Sequence, residues 1–168
     1  MSTASGATPE ANMLIVEGNL ASSYQLVGRC EEALRMRQDI YSRTLQLYGE
    51  SYRDTLLEAN NIAQILVVLN RHEEAKSLLR KPIRLAQDAL GGGDGLALKL
   101  RWNYAEALFK NDLATLGDLR EAVTMLEEIM RTARRIFGDA NPLTRGIAME
   151  LRDAQIVLRF RKTPSGSA

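Results

Sequence analysis

The sequence predicts an all-α protein assembled from repeated helical hairpins, and three observations carry that expectation. Asn19-Leu20-Ala21, Asn61-Ile62-Ala63 and Asn103-Tyr104-Ala105 recur at intervals of 42 residues. In a second register, Gly28-Arg29-Cys30-Glu31-Glu32-Ala33 returns 42 residues later as Asn70-Arg71-His72-Glu73-Glu74-Ala75, and once more, after five extra residues, as Asp118-Leu119-Arg120-Glu121-Ala122. A fixed period of this length marks units that stack into a solenoid, an architecture whose use is an extended binding surface. Finally, 45% of the 168 residues are apolar but only 5% aromatic, which suits helices filled with Leu, Ala, Ile and Met better than a β-sandwich.

Taken in order, the chain opens with Met1-Ser2-Thr3-Ala4-Ser5-Gly6-Ala7-Thr8-Pro9, which has no apolar core of a secretory signal and no arginine, so residues 1–10 read as a loose tail. Unit one (12–52) places Leu20, Ala21 and Tyr24 on one helical face; Gly28 tolerates left-handed backbone and ends the helix. Its second helix buries a stripe of Met36, Tyr41, Thr44 and Tyr48. Unit two (53–94) repeats the plan with Ile62, Ala63 and Leu66, the breaker Asn70, and then Leu78, Ile83, Ala86 and Leu90. Pro82 lies inside its second helix, where it removes a hydrogen bond and crowds the carbonyl of Leu78, so a kink is expected without a break. Unit three (95–141) carries Tyr104, Ala105 and Leu108, an insertion at 111–117, and then Met125, Met130, Ala133 and Phe137. The alanines at 21, 63 and 105 let partner helices approach closely. Stretches starting at Gly49, Gly91 and Gly138 occupy equivalent positions and join each hairpin to the next element. A last apolar helix (142–161), with arginines at 145, 152, 159 and 161, is expected to cap the stack, and 162–168 to form a second tail.

Net charge is +1, which supplies no global field for nucleic acid or an anionic membrane, and neither partner is expected. Charge is nonetheless uneven. Residues 1–69 carry five Lys/Arg against eight Asp/Glu, and residues 70–168 carry seventeen against thirteen, a pattern that favours head-to-tail contact or simply a solvated surface. The single cysteine, Cys30, cannot form an internal disulfide, and no apolar run approaches a membrane span. A reducing, soluble compartment such as the cytoplasm fits best.

The units resemble tetratricopeptide repeats, specifically the 42-residue variety of kinesin light chains and nephrocystin-like proteins. Those read Asn-Leu-Ala, then Tyr, then Gly-Lys-Tyr-x-Glu-Ala, closing on Leu-Gly-x-x-His-Pro-x-Thr. Here Asn19-Leu20-Ala21, Tyr24 and Gly28-Arg29-Cys30-Glu31-Glu32-Ala33 match, as do Tyr48-Gly49-Glu50-Ser51-Tyr52-Arg53-Asp54-Thr55 and Phe137-Gly138-Asp139-Ala140-Asn141-Pro142-Leu143-Thr144. The second linker departs, with Gly93-Asp94-Gly95 in place of His-Pro. The resemblance spans roughly residues 12 to 160 and implies a right-handed α-solenoid of three hairpins plus a capping helix, about seven helices in all.

It also implies a concave groove into which the repeated asparagines point, their amides pairing with the backbone of an extended peptide. Asn19, Asn61 and Asn103 are the candidate contacts, with Ser22, Gln64 and Glu106 three residues on and Lys99 and Lys110 one turn either side of Asn103. The alternative is that the asparagines bond neighbouring helices and hold repeat spacing. Leu57, Leu26 and Val68 would line the groove in units one and two, while Lys99, Arg101 and Lys110 make unit three basic, so a ligand with an apolar and an acidic part is expected.

Cys30 and His72 hold the same repeat position, about one repeat apart, and cannot share a proton within ~3 Å; no catalytic residue is expected. Gly91-Gly92-Gly93-Asp94-Gly95 lacks a following Lys-Ser or Lys-Thr and reads as a linker, and no metal site or cofactor is expected. The sequence thus points to a non-enzymatic adaptor or scaffold that binds a protein or peptide. The runner-up is a structural subunit of a larger assembly, docked through its convex face and ends, where Arg145, Arg152 and Arg159 offer a secondary docking surface.

Overall fold

The computed structural model describes residues 8–162, which contain seven α-helices and no strand. They are α1 (Pro9–Leu26), α2 (Cys30–Tyr48), α3 (Arg53–Val68), α4 (His72–Leu90), α5 (Gly95–Phe109), α6 (Leu116–Phe137) and α7 (Pro142–Lys162). Pro9 and Glu10, expected in the tail, instead form the first turn of α1, because Thr8 caps it by accepting a hydrogen bond from the Ala11 N–H and proline is preorganised for a first helical position. Lys162, likewise expected in a tail, closes α7; the remainder of both expected tails lies outside the described residues.

Two kinds of turn punctuate the solenoid, and each repeats. Inside hairpins one and two the chain reverses through Gly28 (φ 81°) and Asn70 (φ 58°), and the next amide reaches back, Arg29 N–H to Tyr24 O at 2.9 Å and Arg71 N–H to Leu66 O at 2.8 Å. These bonds satisfy the last carbonyls of α1 and α3 in the same way. Between units, Gly49, Gly91 and Gly138 adopt φ of 87°, 87° and 79°, so the alignment of the three linkers reflects one backbone conformation. The insertion in unit three is a loop ahead of α6, which starts with a reciprocal cap: Thr115 Oγ1 accepts from the Asp118 N–H while the Asp118 carboxylate accepts from the Thr115 N–H. α4 runs unbroken through Pro82, which is buried.

Each helix packs on its neighbour in sequence, and in addition α3 packs on α5 and α5 on α7. The aligned alanines explain this closeness: Ala21, Ala63 and Ala105 are all fully buried, as are Ala86 and Ala133 on the second helices. Trp102 of α5 lies against Gly146 of α7, where any side chain would collide with its ring. Along the repeats the core is therefore continuous, with Leu79 and Leu100 buried together in one cluster and Leu126 and Ile147 in the next. One place departs from the pattern: α1 and α3 stand apart with an open cleft between them.

Candidate functional site

Two substitutions in the repeat pattern create the cleft. The position held by Leu79 in α4 and Leu126 in α6 is Arg37 in α2, and the position held by Leu100 and Ile147 is Glu58 in α3. A contact that is Leu on Leu or Leu on Ile elsewhere is here an ion pair. Arg37 and Glu58 are 7% and 8% exposed; one guanidinium nitrogen donates to both carboxylate oxygens at 2.8 and 3.0 Å, and the other to Ser22 Oγ at 2.7 Å. Burial pushes the Glu58 carboxyl above its ordinary range against the pull of Arg37. The Nε of Arg37 is buried without a partner. Gly18 on α1 lets the guanidinium lie there, since a Cβ at that position would sit 3.4 Å from it.

Gly18 has a second consequence. Asn60, which stands 42 residues later, is buried and accepts a hydrogen bond at 2.8 Å through its side-chain oxygen from the Asn103 amide, which locks α5 to α3. Asn61 is the repeat equivalent of Asn103, but at the matching position of α1 it finds Gly18 and no amide. It turns instead to Glu58 of its own helix at a long 3.4 Å. The amide that closes α3 onto α5 is thereby left facing the space between α1 and α3.

That space is a cavity of about 550 Å³ floored by Arg37 and Glu58, with Asn19, Ser22 and Asn61 on its walls beside apolar Leu14, Ile15, Ile40 and Leu57. Leu57 also borders a second cavity of about 300 Å³, formed with Arg53, Lys99, Leu96, Phe137 and Leu143. One exposed leucine thus joins an apolar cleft to a more basic one.

Of the candidate contacts, the structure brings Asn19, Ser22 and Asn61 together in the first cavity and places Lys99 in the second. Asn103 does not face an open groove: it is 3% exposed and spaces the repeats through Asn60. Gln64 is exposed outside both cavities. Glu106 and Lys110 bond to each other, and Lys110 reaches Glu150 as well at 3.3 Å, so this lysine is neutralised; Arg101 is likewise taken by Glu128. Unit three is therefore less basic at its surface than its sequence reads, with Lys99 the cation that makes no ion pair among the described residues. Leu26 and Val68 are exposed and line neither cavity. Arg145, Arg152 and Arg159 are exposed on α7.

Arg37, Glu58 and Gly18 escaped the sequence reading. The signal was present, because aligning the units shows one basic and one acidic residue at two positions that are otherwise Leu or Ile.

Residues 11–88 match a tetratricopeptide repeat family model, and residues 111–143 match a second of the same description. The chain belongs to the tetratricopeptide repeat family. Among solved structures, this repeat protein is similar to two crystal forms of the nearly identical TPR-like repeats ascribed to a Podosopora anserina kinesin light chain. Their TM-scores are 0.76 and 0.74 at 20% and 18% identity, with 86% and 91% of this chain covered and 66% and 78% of theirs. The structure of BtubC (BKLC) from P. vanneervenii gives a TM-score of 0.66 at 16% identity, covering 92% of this chain and 68% of that one. At such identities the likeness is one of fold. No curated protein matches the chain. No helix among the described residues is long and apolar enough to cross a membrane, and none of their His, Cys, Asp or Glu side chains cluster in a way that could hold a metal ion.

Proposed function

We propose that this tetratricopeptide repeat protein is an adaptor that holds an extended segment of a partner protein across α1, α3 and α5. An apolar side chain of the segment fills the space between α1 and α3, and an acidic residue lies toward Lys99. One observation carries this reading: Asn61 repeats the Asn103 position but lacks the carbonyl partner that Asn60 provides to Asn103, beside a cavity with room for two or three apolar side chains. A guest carbonyl would accept from Asn61 Nδ2, and the Asn19 amide and Ser22 hydroxyl flank it, while Leu14, Ile15, Ile40 and Leu57 remove apolar surface from water. Exposed hydrophobic side chains such as Leu57 are then docking surface, and the acidic preference narrows to Lys99.

Selection of short segments from a random peptide library tests the proposal. Segments that share an apolar anchor with a nearby carboxylate are expected. Leu57→Glu should abolish their binding, Asn61→Ala should weaken it, and Lys99→Glu should weaken it in a salt-dependent way. If the selected segments bind Leu57→Glu and Asn61→Ala as well as the parent, groove binding is wrong. The subunit reading, supported by the exposed faces of α1 and α7, then takes its place.

A further inference from the structure

We infer that this chain associates head to tail, the outer face of α7 of one molecule receiving α1 of the next. The surface is separate from the cleft, because α1 turns opposite flanks to the two. On the flank away from the cleft, Met13, Val16 and Leu20 are 56%, 66% and 45% exposed. Their repeat equivalents in α3 are Thr55, Glu58 and Ile62, all buried, and in α5 the first two are Ala97 and Leu100, also buried. Those positions are covered by the preceding hairpin. α1 therefore carries apolar side chains where the stacking rule demands burial, and no described helix covers them.

The other end of the stack is open in the complementary sense. In α5, Leu98, Trp102, Ala105 and Phe109 pack under the helix that follows. The matching stripe of α7 is Arg145, Met149, Arg152 and Ile156, with no described helix upon it. Met149 is 69% exposed, and neither Arg145 nor Arg152 makes an ion pair among the described residues.

Charge selects between the possible pairings. The only charged residues of α1 are Glu10 and Glu17, whereas α7 holds five Lys/Arg against two Asp/Glu. Two α1 helices facing each other would set acid against acid, and two α7 helices base against base. Run antiparallel, α1 on α7 sets Met13 near Ile156, Leu20 near Met149 and Glu17 near Arg152, a register in which both apolar stripes and opposite charges coincide. Glu17 is shared with Arg43 in the free molecule, and Asp39 pairs with the same arginine, so the pair of carboxylates retains one net negative charge for Arg152. Because the two surfaces differ, such contact is heterologous and leaves a free face at each end, so growth continues beyond a dimer.

Sedimentation equilibrium of the full chain over a wide concentration range tests this. The average mass is expected to rise without a plateau at two, and to fall when salt is raised. Leu20→Glu and Met149→Glu, both on exposed positions, should each be monomeric with unchanged helicity. Mixing those two variants leaves one intact α1 face and one intact α7 face, and should yield a one-to-one dimer that grows no further. A parent that stays monomeric throughout overturns the inference. A parent that stops at a dimer, abolished by Leu20→Glu but untouched by Met149→Glu, overturns it too and assigns an α1-to-α1 contact.

Discussion

Replacing Glu58 by Leu should destabilise the protein severely, and replacing Arg37 by Leu in the same chain should bring the stability back. In the Glu58→Leu variant the Arg37 guanidinium loses both carboxylate bonds and keeps one, to Ser22 Oγ, with Nε already unpartnered. Both side chains are more than nine-tenths buried, so a lone charge remains where water cannot solvate it. Breaking a buried pair in this way costs about 3–5 kcal/mol. With an m-value of about 1–3 kcal/mol/M, the urea midpoint should fall by more than about 1 M. In the double variant two leucines occupy the positions that Leu79 and Leu100 fill one unit on, a packing the fold already uses twice. Exchanging a buried pair for packed apolar residues is neutral or stabilising by about 1–4 kcal/mol. The low end is expected here, since leucine is shorter than arginine and the cleft above remains open. The assay is urea unfolding followed by circular dichroism on parent, both single variants and the double. A double variant that loses as much as the two singles together would show that the positions are not coupled, and the account of the cleft floor would fail.

Asn103→Ala should cost about 1–3 kcal/mol, because it strands the buried carbonyl of Asn60, whereas Asn61→Ala at the same repeat position should stay within about 0.5 kcal/mol; equal shifts in thermal midpoint would contradict the difference between them. Gly146→Ala drives a Cβ into the Trp102 ring and should cost about 1–3 kcal/mol, with an altered Trp102 fluorescence spectrum as its second signature. Burial lowers the pKa of His72, the single histidine, so its contribution to stability is complete above the ordinary histidine value of about 6.5 and is lost as pH falls through the depressed folded value. His72→Leu, which copies Leu119 of unit three, should therefore lose less stability than the parent between pH 7 and 5, and parallel pH profiles would disprove this role for the imidazole.

Period and breakers made the architecture legible. Gly28 and Asn70 lie where left-handed backbone reverses the chain, and Ala21, Ala63 and Ala105 sit at helix contacts, because these features are set by local stereochemistry that recurs in every unit. The candidate site was legible only in part, since a shared register does not impose a shared environment. Asn19, Asn61 and Asn103 are identical in sequence position, yet what each amide does depends on the residue that the preceding helix presents, Asn60 to one and Gly18 to another. Lys110 shows the same limit from another side. Its charge is plain in the sequence, while the Glu106 and Glu150 that cancel it come together only through the packing of α5 on α7.

The isolation of α1 sets an order of opening. In a repeat array each helix owes its persistence to its neighbours. α5 is clasped by α3, α4, α6 and α7, whereas α1 rests on α2 and faces a cleft on one side and solvent on the other. Its amides should therefore exchange with deuterium through the least costly excursion available to the molecule, well before those of α5. A guest in the cleft would join α1 to α3 and close that excursion, so slowed exchange along Pro9–Leu26 reports occupancy even when no helix moves.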